Sequence, residues 1–202
     1  TIATHGFFTI GGEKMSKTRG NVLDPLELVE KYGVDTIRYA LVSAFPFGTD
    51  GDFSEEIIKQ KYESELANEL GNLLQRVLVM MKKYNLCSLA KKWQGAKRNK
   101  VSSKSRKELL AVGEDIEKYR FDPALSAIWD IVRQGNEAIE RAKPWELAKN
   151  NKAKLEDVIS NEYERLLLIA RLIKPFMPAT SSAMEEQLQS CVPEPLFPKI
   201  DR

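Results

Sequence analysis

The densest chemistry in this 202-residue chain lies in Lys14-Met15-Ser16-Lys17-Thr18-Arg19-Gly20, which sets three cations, two hydroxyls and a glycine side by side just after the Gly11-Gly12 pair. Ammonium groups neutralise charge, and a loop of small residues lets backbone N–H groups come close to an anion, so the composition suits a polyphosphate. A solvated Lys/Ser turn has the same spacing, and spacing alone leaves both readings open. His5, the one histidine of the sequence, reads either as a base or ligand or as a structural neighbour of the strand beside it. Cys87 and Cys191 stand far apart in the sequence and read as two reduced thiols. With a single histidine they do not make the four ligands of a structural zinc site, so no metal centre is expected.

Three further features stand out by their position. Asn72 and Arg76 are four residues apart, off the apolar stripe of their helix, and share one exposed face. Such a pair is usually a solvated polar face. Trp145 follows Pro144 at a helix–helix corner, where a large aromatic serves either as core filling or as a platform for an unstacked base. Between them, residues 91–107 carry eight Lys or Arg and no acid; the run either touches a phosphate backbone or is simply solvated.

The elements that position these residues follow from periodicity. Residues 2–10 alternate partly and lead into Gly11-Gly12 as two short strands or one bent strand. Asp24-Pro25-Leu26-Glu27 is a helix start, with Asp24 as N-cap and Pro25 at the first helical position, and that helix stops at Gly33. A second begins at Asp35, and Phe45 to Asp52 breaks regular structure and marks a domain boundary. From Ser54 the period is helical: Ile58, Tyr62, Leu66, Leu70, Leu73, Val77 and Met81 define an amphipathic helix of about 30 residues. Further helices are expected over 107–119, from Asp122 to Lys143, over 155–173, and from Ser182, where Ser182 and Glu185 have capping-box spacing. The tail from Pro193 is extended. The expected fold is mainly α: a short β/loop segment with small connector helices, then an antiparallel bundle of about five helices, dividing the chain into residues 1–52 and 53–202. Forty-three per cent hydrophobic and 30% charged residues describe a globular chain, and a net charge of +2 does not by itself argue for nucleic acid. The start, Thr1-Ile2-Ala3-Thr4-His5, is no signal peptide and opens inside a strand, so the chain reads as a fragment of a longer protein.

The residues themselves resemble a family. Lys14-Met15-Ser16-Lys17-Thr18 is similar to the KMSKS signature of class I aminoacyl-tRNA synthetases, with Thr18 in place of the usual serine. His5-Gly6, Gly12 and Gly20-Asn21 match the subgroup for methionine, leucine, isoleucine, valine and cysteine. Phe47-Gly48-Thr49-Asp50-Gly51-Asp52-Phe53-Ser54 resembles the connector of methionyl-tRNA synthetases. Lys143-Pro144-Trp145 resembles that family's anticodon corner, and Leu196-Phe197-Pro198-Lys199-Ile200 the end of its common core.

The resemblance implies a methionine–tRNA ligase fragment, inactive in adenylation alone because the other half of the active site lies upstream of Thr1. It implies Lys17 and Lys14 as catalytic cations, with Lys14, Met15, Ser16, Lys17 and Thr18 forming a mobile loop on ATP, taken with Mg2+. It implies Asn72, Arg76, Pro144 and Trp145 as the anticodon-binding set for a tRNA(Met) with a CAU anticodon, in a cytoplasmic monomer. Two rivals stand beside it: another KMSKS-type synthetase, for leucine or cysteine, and a tRNA-binding module without chemistry.

Overall fold

Gly11 and Gly12 both take positive φ (60° and 76°), a conformation that lets a two-residue turn close a hairpin at no steric cost. The hairpin joins β1 (Phe8–Ile10) to β2 (Glu13–Lys14). The computed structural model describes residues 4–16, 18, 20, 22–95 and 103–200; the start of the expected strand, residues 2–3, and the middle of the basic run, residues 96–102, lie outside them, as do Lys17, Arg19 and Asn21. α1 (Pro25–Tyr32) begins as its sequence predicts: the Asp24 side chain accepts from the Leu26 N–H at 2.8 Å, and Pro25 occupies the first turn. α2 (Val34–Ser43) follows directly and buries Thr36, Ile37, Tyr39 and Ala40.

The segment from Phe45 to Asp52 does not break structure completely. Its end, β3 (Gly51–Asp52), returns to pair in parallel with β1, giving a three-stranded sheet in the order β2-β1-β3. The pairing arises because Asp50 and Asp52 supply acceptors for the hairpin, as described below.

The long helix spans residues 55–83 without a break, as α3 (Glu55–Gln60), a π-helical segment (Lys61–Gly71) and α4 (Asn72–Lys83). All seven residues of the apolar stripe are buried, six of them completely. From Ile58 to Leu70 the stripe advances in steps of four. Such steps drift around a helix of 3.6 residues per turn, and the wider turn of i→i+5 bonding brings them back towards one face. The Asn72 N–H bonded to the Ala67 carbonyl is one such i→i+5 link.

Around this axis pack α5 (Ser88–Gly95), α6 (Ser103–Glu117), α7 (Phe121–Ala142), α8 (Pro144–Asn150), α9 (Lys152–Ile173) and α10 (Pro178–Ser190). α7 and α9 lie against the long helix and each other, α6 against α7, and α10 against α9. One contiguous core runs from Leu28 in α1 to Leu188 in α10. The connector is tied to the far end of the bundle by polar bonds: Arg38 donates to the carbonyls of Pro175 and Phe176 at 2.9 Å, and the Asp35 carboxylate accepts from the Thr180 N–H at 2.6 Å.

Three expectations are corrected here. The last helix starts at Pro178, four residues before the expected capping box, and Ser182 sits inside it donating its hydroxyl to the Pro178 carbonyl. Proline at the first helical turn needs no N–H, so it wins over the internal Ser/Glu spacing. The helix expected over 107–119 starts earlier, at Ser103, and ends at Glu117. Cys87 and Cys191, far apart in sequence, are joined as a disulfide with Cα atoms 5.8 Å apart, because the turn after α4 and the end of α10 meet where α5 packs on α10.

Candidate nucleic-acid interface

The cationic loop hangs from a hairpin that Asp52 holds. One carboxylate accepts from the Thr9 hydroxyl (3.0 Å), the Gly11 N–H (3.1 Å) and the Gly12 N–H (3.1 Å). These bonds favour the ionised form, so Asp52 titrates below the usual range, the Gly12 amide being the largest cause. Asp50 accepts from the Phe7 N–H at 2.7 Å on the other side of β1. The turn's orphan donors are thereby satisfied from β3, and the strand entering the loop has a defined direction. Lys14 lies over the Phe7 ring at 4.4 Å, a cation–π contact. Met15 is partly buried against the core, and Ser16 is also partly buried; Thr18 is exposed. Lys17 lies outside the described residues.

Sixty residues later, Asn72 and Arg76 line a single groove of about 790 Å³. The long helix contributes Asn68, Glu69, Asn72 and Arg76 to one wall; α7 contributes Arg133, Asn136, Glu137, Glu140 and Arg141 to the other. Arg76 is not a freely solvated cation. Its guanidinium bonds Glu140 across the groove at 2.7 Å, with a quarter of the Arg76 side chain exposed. Asn136 donates to the Glu69 carbonyl at 3.1 Å, tying the two walls together below. The Glu69 carboxyl is pushed up, chiefly by burial, against the opposing pull of Arg133 at 3.7 Å.

Three arginines face three glutamates here, with three asparagines among them. A wall of one sign would hold backbone phosphates; a neutral, alternating set of forks, carboxylates and amides suits the donor and acceptor edges of bases. Sequence reasoning found Asn72 and Arg76 and missed the α7 wall. Its signal was present: Arg133, Asn136, Glu137, Glu140 and Arg141 recur at helical spacing on the face of α7 opposite Ile128, Val132 and Ile139.

The corner beyond Arg141 has a local cause. α7 ends where Lys143 takes a left-handed conformation (φ 46°, ψ 64°) and Pro144 opens α8. A residue before proline is pushed out of helical geometry. Pro144 is buried, while Trp145, next along, is 43% exposed. It stands four residues past Arg141 and is not part of the groove wall itself. Trp129, by contrast, is 3% exposed and stacked on Tyr39 with ring centroids 4.6 Å apart. Among the described residues, no cluster of three or more His, Cys, Asp or Glu could hold a metal ion, and no helix is long and apolar enough to cross a membrane.

Comparison with known proteins identifies the family. The family model "tRNA synthetases class I (M)" matches residues 1–78, and "Anticodon binding domain of methionyl tRNA ligase" matches residues 90–201, more than half the chain. The chain is 43% identical to a methionine–tRNA ligase of Caldanaerobacter subterraneus over 91% of its own length, and 35% identical to that of Bacillus subtilis over 93%. It spans 29% of the length of either relative. A solved structure of Mycobacterium tuberculosis methionyl-tRNA synthetase in complex with methionyl-adenylate superposes with a TM-score of 0.76 at 30% identity, covering 96% of this chain and 43% of that one. These matches set aside a leucine or cysteine enzyme: the chain belongs to the methionyl-tRNA synthetase family and carries its anticodon-binding domain.

Proposed function

We propose that this chain is the part of a methionine–tRNA ligase that presents the signature loop to ATP and reads the CAU anticodon of tRNA(Met). The whole enzyme joins methionine to ATP, releasing pyrophosphate, and passes the methionyl group to the terminal ribose of the tRNA. Charge builds on the phosphates during the first step, and fixed cations there lower the barrier. Lys17 is the main partner of the leaving pyrophosphate, Lys14 supports the phosphates, and Met15, Ser16 and Thr18 shape a loop that closes on ATP, which is taken with Mg2+. Residues 1–52 act as the end of the catalytic domain and its connector, and residues 53–202 as the anticodon bundle. The protein works in the cytoplasm as a monomer.

The observation that carries this reading is the groove: Asn72 and Arg76 share one neutral, hydrogen-bonding cleft, and an exposed Trp145 stands four residues beyond its α7 wall. Unpaired anticodon bases can be splayed, stacked on Trp145 and hydrogen-bonded by the groove. The test is binding of a tRNA anticodon stem-loop to the full chain. A CAU loop is expected to bind at least about fivefold more tightly than a loop with one anticodon base changed, a mismatch cost of about 1–3 kcal/mol. Equal affinity for the two loops would count against the assignment.

A further inference from the structure

The sequence holds two cysteines, and the fold brings them together. Neither is used by the loop or the groove. Cys191 is 5% exposed and sits at the C-cap of α10 in a left-handed conformation (φ 58°). Cys87 is half-buried and directly precedes α5. Their Cα separation of 5.8 Å lies inside the range a disulfide requires, so closing or opening the bond needs no movement of the backbone.

What the bond holds is narrow. α5 packs on α10. Its described buried side chains are Leu89 and Ala90, both in the first turn. The Ala90 N–H bonds the Cys87 carbonyl at 3.2 Å, so the helix grows directly from the bridged residue. An eight-residue helix is too short to be stable by itself. The bridge just before its first turn therefore adds to what Leu89 and Ala90 hold and helps keep α5 on the bundle.

We propose that Cys87 and Cys191 form a redox couple that fastens α5 to α10, closed by a hydroperoxide and reopened by a dithiol. Cys87 is the sulfur that reacts with the peroxide, being the more open of the two. Its thiolate takes one oxygen of the peroxide, giving a sulfenic acid and, with one proton, a molecule of water. The Cys191 sulfur then displaces the sulfenic oxygen, which leaves as a second water. Overall two thiols and one hydroperoxide (here hydrogen peroxide) give one disulfide and two waters. A dithiol reverses the bond by exchange and is itself oxidised to its disulfide.

The test uses the full chain, fully reduced and then either left reduced or treated with a small excess of hydrogen peroxide. Peptide mapping is expected to show the Cys87 and Cys191 peptides joined within one molecule, two hydrogens lighter than the pair of thiols. Amide exchange at residues 89–95 is expected to slow about tenfold or more on oxidation, with α7 and α9 unchanged, because only the local opening of α5 is suppressed. The double variant Cys87→Ser, Cys191→Ser is expected to exchange like the reduced protein with or without peroxide. Sulfinic or intermolecular products would overturn the proposal, as would exchange in α5 that oxidation leaves untouched or slows equally throughout the bundle. The wild-type comparison needs no substitution and decides the matter even if the double variant does not fold.

Discussion

Two of the three tryptophans, Trp145 and Trp129, give the proposed recognition and the stability of the bundle separate tests. Trp145 is 43% exposed; Trp129 is 3% exposed and stacked on Tyr39. Stacking of a base on an aromatic side chain is worth about 1–3 kcal/mol, so Trp145→Ala is expected to weaken binding of a CAU stem-loop by about 5- to 150-fold. The same truncation removes roughly 100 Å² of buried apolar area, an upper limit of about 2.5 kcal/mol of folding stability at 25 cal/mol per Å². A domain with the usual 5–15 kcal/mol stays folded after that loss, so reduced stability cannot by itself lower the measured affinity. Trp129→Phe keeps a ring against Tyr39 but leaves a void in the core, and is expected to cost about 1–3 kcal/mol of stability with no change in RNA affinity. Fluorescence anisotropy with labelled stem-loops and urea unfolding of the same samples measure both quantities. Unchanged affinity in folded Trp145→Ala would refute the stacking role. An equal loss of affinity in Trp129→Phe would show that the effect runs through general softening of the bundle.

Other outcomes follow from the same geometry. In the whole ligase, Lys17→Ala is expected to slow ATP–pyrophosphate exchange while leaving methionine binding intact; an unchanged exchange rate would remove Lys17 from the reaction. A Cβ on Gly51 would lie 2.0–2.4 Å from the Phe45 ring atoms, so Gly51→Ala is expected to push β3 off β1 at a cost of about 1–3 kcal/mol, seen as faster proteolysis within residues 45–52 and not in α7 or α9. Asp52 is ionised with a lowered pKa in the folded state, so its stabilisation is complete above about pH 4 and fades as pH falls through the folded value. Asp52→Asn is expected to flatten that acid limb in a pH series of urea midpoints. Glu162 is buried at 3% exposure, and burial raises its pKa despite Arg165 at 2.8 Å. Its folded pKa being the higher one, ionised Glu162 opposes folding above that pH and ceases to below about pH 4. Glu162→Gln is expected to equal or exceed the wild type in stability at pH 8 and to lose that margin at pH 4; a variant much weaker than wild type at pH 8 would mean that the Arg165 bond dominates.

Much of this molecule was legible along the chain. Asp24-Pro25, the stripe from Ile58 to Met81 and the corner at Pro144 are local signals, because caps, helical periods and proline geometry act within a few residues. The groove was half legible. Asn72 and Arg76 stood out by lying off their own stripe, but a groove has two walls, and which face of α7 meets them depends on how two helices pack. The cysteines were misread for a related reason: thiols 104 residues apart carry no sign of meeting until α5 and α10 are packed.

By itself the sequence determined the helix-rich class, most element boundaries and the family, since periodicity and short signatures are written in neighbouring residues. Only the tertiary structure decided that Asp52 holds the hairpin under the signature loop, that Glu140 takes the Arg76 guanidinium, that Trp145 and not Trp129 reaches solvent, and that Cys87 meets Cys191. Each of these joins residues between 40 and 104 positions apart through side-chain geometry or burial, or sorts like residues by depth. The packing of apolar faces sets those distances, and no local pattern of residue types encodes them.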